Sequence, residues 1–331
     1  MYKLMKARKF GKIGWDISEI SLGCWAMGAD WGEVSEENAR NILKTSFENG
    51  VNFFDTADVY GDGRSEKFVG EFINSTSERI YVATKAGRRI NPHEAQGYYD
   101  KDLMESFVDR SLKNLNVETI DLLQMHCPPS EVYSNDLIYE MLDYLVQKGK
   151  IQHYGFSVQT VEEALECIQR PNTKSVQIIF NMLRLKPAEE FFKMAKDKNI
   201  AIIVRVPLAS GLLTGKMNSN STFPENDHRN YNIKGDAFDV GETFSGVNFN
   251  KALDIVEELK SIIPDGFTLS QLALKWILMH KEVSVVIPGA KNSDQVLNNI
   301  SASSLPYIEN LMQDIEDIYN TYLKTDIHSR W

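Results

Sequence analysis

Short apolar runs alternate along this chain with longer segments whose apolar residues recur at helical spacing. "SEENARNILKTSFENG" (35–50) places Ala39, Ile42, Leu43, Ser46 and Phe47 on one face, with Ser35 as an N-cap and Gly50 as a stop. "VNFFD" (51–55) then reads as a strand, "SEKFVGEFI" (65–73) as a helix and "IYVATK" (80–85) as the next strand. Further strands are predicted at "IDLLQMH" (120–126), "IQHYGFS" (151–157), "SVQIIFN" (175–181), "AIIVRVP" (201–207) and "VSVVIPGA" (283–290). Helical segments at 102–115, 136–148, 160–169, 187–198 and 268–281 separate them. With "ISEISLGCW" (17–25) as the first, eight strand candidates alternate with helices.

Mostly apolar strands interleaved with helices indicate a parallel sheet covered on its faces. Eight units predict a closed (β/α)₈ TIM barrel of the α/β class, with an open doubly wound sheet as the alternative. That alternative wants G-x-G-x-x-G directly after the first strand. The nearest approach is Gly61-x-Gly63, which follows the second strand and has Glu66 where the last glycine belongs. A β-hairpin around 11–14 precedes the barrel. Residues 208–248, after the seventh strand, show no strong apolar period, which suggests a lid or an insert. The chain is read as one domain over 1–331, ending in a helical segment at 301–331.

Composition narrows the partners. Hydrophobic residues at 43% are enough for a sizeable core, and a net charge of −10 argues against nucleic acid. Cys24, Cys127 and Cys167 fit neither a disulfide framework nor a paired metal motif, which points to a reducing compartment. No apolar stretch reaches ~18 residues. A cytoplasmic protein acting on small molecules, without a membrane span, is the expectation; its oligomeric state is not readable.

In a (β/α)₈ barrel the chemistry sits at the C-terminal ends of the strands. Here those ends carry Asp55, Lys85 and His126 on consecutive strands, with Tyr60 in the loop after the first of them. Singly, each has a structural explanation. Together they have acid–base logic. A phenol of pKa about 10 transfers protons poorly at neutral pH. A nearby ammonium is expected to lower that value, a carboxylate to keep the ammonium charged, and a histidine to orient a carbonyl oxygen. The set suits proton delivery to an oxygen that gains charge as hydride reduces a carbonyl.

At this point the motifs resemble those of the aldo-keto reductases over about residues 10–300. "GVNFFDTADVYGDGRSEKFVG" is similar to the family's first signature, and "ATK" (83–85), "LLQMH" (122–126), "GFS" (155–157), "PLASGLLTGK" (207–216) and "IPGAKNSDQVLNN" (287–299) fall in family order. The resemblance implies a barrel that binds NADP(H), with NAD(H) possible, and reduces an aldehyde or ketone reversibly. It implies Tyr60 as proton donor, Asp55 and Lys85 as its tuning pair, and His126 as the carbonyl-orienting group. Gly23, Trp25, Asp55, Ser157, Gln177 and Arg205 would surround the nicotinamide. Pro207, Leu208, Ser210, Gly211, Leu213, Gly215 and Lys216 would cross the pyrophosphate within a 208–248 segment that covers the cofactor. Gly289, Ala290, Lys291, Gln295, Asn298 and Asn299 would hold the adenosine end, with Lys291 at the 2′-phosphate. Trp25, Trp31, Tyr60 and His126 would meet substrate, whereas Arg88 in "GRRI" reads as a solvated rim cation.

Several positions depart from the common pattern: Val158 follows Ser157 in place of asparagine, Arg205 stands where an aromatic ring is frequent, and Gln295 and Asn298 replace Arg and Glu. A guanidinium can still stack on an aromatic plane. The alternative function is a cofactor-binding regulatory or sensing subunit of the potassium-channel β-subunit type.

Overall fold

The computed structural model describes residues 5–28, 32 and 34–331. A hairpin comes first: β1 (Ala7–Phe10) pairs antiparallel with β2 (Trp15–Ser18) across a 3₁₀ turn, Gly11–Ile13. Eight parallel strands follow, β3 (Leu22–Gly23), β4 (Phe53–Asp55), β5 (Tyr81–Ala86), β6 (Ile120–His126), β7 (Ile151–Ser157), β8 (Thr173–Ile179), β9 (Ala201–Arg205) and β10 (Val283–Val286). They pair in sequence order from β3 to β10. Parallel bridges Ile20↔Val286 and Gly23↔Gly289, with Ser21 N–H donating to Val286 O at 2.8 Å, join the last strand to the first. The barrel reading therefore holds.

The run "ISEISLGCW" divides differently from the expectation of one strand. Its first residues belong to β2, and the barrel strand is only Leu22–Gly23. The intervening Ser18 and Ser21 hydroxyls bond each other at 2.8 Å, and Ser21 Oγ donates to Ser18 O, so the chain turns between two elements. Likewise β8 ends at Ile179 rather than at Asn181, which bridges back to Arg184. Ser35 does cap its helix, accepting from Asn38 N, and Gly50 lies at φ +88° beyond the helix end.

Inside the barrel, side chains obey the period of two. Phe53, Ala83, Leu122, Ile203 and Val285 form an apolar layer with Phe10 and Ile17 of the hairpin, which closes the bottom. Two residues further on, the same faces carry Asp55, Lys85, Gln124 and Arg205. One pleat thus separates the packed floor from the polar mouth. The hairpin seats through Gly11, at φ +45°, where a Cβ would stand 2.4 Å from Ala201 N. Phe10 is fully buried against Phe53, ring centroids 5.5 Å apart. Phe10→Ala is expected to cost about 3–5 kcal/mol by opening a cavity under the floor, read as a lowered urea midpoint at unchanged m-value.

The segment 208–248 is mostly irregular, with 3₁₀ stretches at Ala209–Thr214, Val240–Glu242 and Phe244–Gly246 and one short α-helix, His228–Tyr231. It still buries Asp227, His228, Asn232, Thr243 and Ser245. The segment is held by side-chain bonds and by scattered apolar anchors such as Leu212, Leu213, Phe244 and Val247. These anchors do not recur at helical spacing, and that is why no period marks it. No helix among the described residues is long and apolar enough to cross a membrane.

Candidate active site at the barrel mouth

The ends of β4, β5 and β6 converge on one buried ion pair. Lys85 Nζ lies 2.5 Å from Asp55 Oδ1, donates to Thr56 O at 2.9 Å, and donates to Tyr60 Oη at 3.2 Å. The two charged side chains are only 1% and 3% exposed, so neither carries a charge that water could stabilise alone. Asp55 Oδ2 accepts from Gln124 Nε2 at 2.9 Å and from Gln177 Nε2 at 2.7 Å. Gln177 Nε2 also donates to Gln124 Oε1 at 3.2 Å, so the two amides and the ion pair form one network around Asp55.

Tyr60 is carried by a turn that sequence alone does not explain. Gly61 sits at φ +58°, and a Cβ there would lie 2.6 Å from Gly28 O; the loops after β3 and β4 touch backbone to backbone. Arg89 and Arg110 clamp the turn, donating to Asp58 O at 2.7 and 3.2 Å and to Asp62 Oδ1 at 2.5 and 2.7 Å.

The phenol's acidity differs from the expectation. Burial raises its pKa more than Lys85 lowers it, and the net value is pushed up to about 12. The ammonium limits the rise without reversing it. For Lys85, burial would lower the pKa, but the Asp55 carboxylate and the Tyr60 oxygen bring the net shift upward. His126 is held well below 6.5 by burial, reinforced by Arg88, Lys85 and Arg205. Its imidazole is neutral, 6.0 Å from the Tyr60 ring in an edge-to-face arrangement.

A cavity of about 1020 Å³ opens over this cluster and runs from Trp25, Asp55, Tyr60 and His126 to the loop after β10. Its wall contains Gly23, Ser157, Gln177, Arg205, Pro207, Leu208, Ser210, Gly211, Lys216, Gly289, Ala290, Lys291, Gln295, Asn298 and Asn299. Two expected contacts do not reach it. Leu213 is fully buried in the outer core, and Gly215, at φ +69°, ends the 3₁₀ stretch against Lys260 and Leu269. Trp31 lies outside the described residues. Trp25 lines the wall, its ring 6.0 Å from Tyr60 and 4.8 Å from His228.

Arg88 is not a solvated rim residue. It lines the cavity, with Nε donating to His126 O at 3.2 Å. Arg205, expected as a stacking plane, is buried and committed to partners: 2.5 Å from Glu242 Oε2, 2.9 Å from Val158 O and 3.1 Å from Gln159 Oε1. Glu242, which sequence reasoning missed, ties the 208–248 segment to the end of β9. Burial alone would raise its pKa, but the Arg205 and Arg88 guanidiniums bring it below the usual carboxylate value. Immediately after Arg205, Val206 adopts φ +51°, a costly conformation for a β-branched residue, with its carbonyl held by Asn181 Nδ2 at 2.9 Å. Gln124 was also missed, although it lies midway between Leu122 and His126 on the inward face of β6.

At the far end Lys291 is half-buried, and its pKa is lowered by burial and by Arg229. Gln295 Oε1 accepts from the Lys291 backbone at 2.8 Å, ordering the start of the helix Ser293–Ser301.

Comparisons with known proteins agree with this architecture. The sequence model of the Aldo/keto reductase family matches residues 19–320. A Schizosaccharomyces pombe protein named aldo-keto reductase yakc, with NADP(+) in its name, is 29% identical over 92% of this chain and 90% of its own length. An Arabidopsis thaliana protein named probable voltage-gated potassium channel subunit beta is 31% identical, covering 90% of this chain and 91% of its own. Among solved structures, the aldo-keto reductase AKR11C1 from Bacillus halodurans superposes with a TM-score of 0.75 at 29% identity, covering 95% of this chain and 96% of that one.

Proposed function

From a chain that belongs to the aldo/keto reductase family, and is by that membership an oxidoreductase, we propose an NADPH-dependent reduction of an aldehyde or ketone, reversible, with Tyr60 as the proton donor. The observation that carries the proposal is the buried Asp55–Lys85 pair holding its ammonium 3.2 Å from the Tyr60 hydroxyl at the floor of the large cavity.

The residues present suit a dinucleotide. The cavity is at the upper end of the ~300–1,000 Å³ usual for ligand sites. Gln177 gives its amide N–H groups to Asp55 and Gln124, leaving Oε1 to accept from a carboxamide. Ser157, Trp25 and Gly23 would share that end. Ser210, Gly211 and Lys216 would face the pyrophosphate, and Lys291, Asn298 and Asn299 the phosphorylated adenosine. The whole chain is read as one barrel unit in which 208–248 covers the cofactor. NADPH supplies the hydride; everything else falls to the protein.

The raised pKa of Tyr60 has a consequence opposite in sign to an acidified phenol. The hydroxyl is fully protonated at neutral pH and is in the donor form needed for reduction. As the proton leaves, the developing phenolate meets Lys85, and that ion–ion contact exists only on the product side. Neutral His126 orients the carbonyl. Its Nδ1 is buried without a partner; a proton carried on Nε2 would give the ring a donor for the carbonyl oxygen.

The pH profile follows. Between pH 6 and 10, kcat/KM for reduction should not decline, because Tyr60 stays protonated below about 12. Alcohol oxidation needs the phenolate and should climb with pH over the same range. Loss of reduction with a midpoint near neutrality would contradict this assignment. The general test is NADPH consumption across aldehydes, ketones, aldoses and keto-sugars, with NADH alongside. The similarity to the Arabidopsis channel subunit supports a second reading, a regulatory subunit that keeps the cofactor site; a stable complex with a membrane partner in pull-down and size-exclusion experiments would favour it.

A further inference from the structure

We propose that the carbonyl substrate carries a carboxylate and that Arg88 is the residue that selects it; this deepens the reading of the cavity as a carbonyl-reducing site. The charges of the catalytic end balance except at one place. Lys85 is matched by Asp55 and Arg205 by Glu242, each at 2.5 Å, and His126 is neutral. Arg88 lines the same cavity, and among the described residues no carboxylate is paired with it. Glu242 is within its field but is spent on Arg205 and on Gln159, whose Nε2 donates to it at 3.1 Å.

The position of Arg88 is fixed by the substrate-orienting residue itself, through its Nε bond to His126 O. The guanidinium lies beside the Cys127 thiol and lines the same space as Tyr60 and His126, in which a carbonyl would dock. A guanidinium stays charged at any working pH and presents a planar fork that matches a carboxylate. A half-buried cation with no counter-ion is a standing electrostatic cost that an anionic ligand removes. The excess is a single positive charge. A carboxylate neutralises it, whereas a phosphate dianion would leave the site negative. Trp25, Val59 and Phe238 on the same wall provide apolar contact for the body of such a substrate.

The test compares each of the three carboxybenzaldehyde isomers with its own methyl ester, which keeps the ring and removes the charge. The ester withdraws electrons more strongly than the carboxylate, so intrinsic reactivity favours the ester and the change of the ratio between variants isolates the charge. The readout is the acid-to-ester ratio of kcat/KM with NADPH, in wild type, R88K and R88M. At least one isomer should prefer the acid by about 10- to 100-fold, the range of a charge-assisted hydrogen bond. R88K should keep part of that preference, and R88M should bring the ratio to one or below. Because it is a ratio within one protein, a general loss of activity cancels. An acid-to-ester ratio that does not fall from wild type to R88M for any isomer overturns the role of Arg88 while leaving ester reduction, and so the role of Tyr60, standing. Preference for a phosphorylated aldehyde over every acid overturns the carboxylate. Should no benzaldehyde turn over, calorimetric binding of the hydroxymethylbenzoates and their amides to the NADP(+)-loaded protein decides between the same outcomes: tighter carboxylate binding that R88M abolishes supports the proposal, and equal binding overturns it.

Discussion

Tyr60→Phe is expected to lower kcat for carbonyl reduction by about 10²–10⁴-fold, the usual worth of a positioned general acid, while cofactor affinity changes by no more than a few-fold. The substitution removes one oxygen. The ring keeps its contact with Trp25 and its place over Lys85, whose Nζ is 4.9 Å from the ring centroid. Lys85 retains Asp55 and Thr56 O as partners, so the buried charges remain matched. Stopped-flow NADPH oxidation paired with a cofactor titration separates chemistry from binding. Wild-type turnover in the variant, on any reducible carbonyl, would remove Tyr60 from the mechanism.

Lys85→Met should be nearly as damaging to turnover and far more damaging to stability. It leaves Asp55 as a buried carboxylate whose remaining side-chain partners are two amides, and losing one member of such a pair costs about 3–5 kcal/mol. It also removes the cation that meets the forming phenolate. The two effects come apart in the double variant. Asp55→Asn combined with Lys85→Met should recover most of the stability, because no unmatched charge remains, and recover none of the turnover. Chemical denaturation and single-turnover kinetics on the three proteins check this. Equal activity in the double variant and wild type would reduce the pair to a structural role.

These residues were legible because a barrel places its chemistry where apolar strands end: Asp55 and His126 each end one, and Lys85 is the last residue but one of another. Gln124 carried the same signal and was passed over. It lies two residues before His126, so the alternation that makes Leu122 a floor residue also turns Gln124 toward Asp55. Glu242 gave no such signal, since it is a lone acid in an aperiodic segment whose partner is 37 residues away in sequence. Arg88 read as a solvated rim cation, and only the fold shows that it lines the cavity while Arg89 clamps the Tyr60 turn. Leu213 and Gly215 sit among glycine-rich loop residues that reach the cavity, yet one fills core and the other makes the turn. The acidity of Tyr60 is the instructive case. Spacing showed that a cation would be near the phenol, but the sign of the shift depends on how much water is excluded, and that quantity exists only in the folded barrel.

The most direct measurement is a crystal structure of the ternary complex with NADP(+) and an unreactive carbonyl compound. Tyr60 Oη should lie within about 2.6–3.2 Å of the carbonyl oxygen, with Lys85 still bonded to that phenol and the His126 imidazole on the same oxygen. A carbonyl bound elsewhere in the cavity, or a Tyr60 side chain swung away from Lys85 toward solvent, would contradict the proposed role of the phenol.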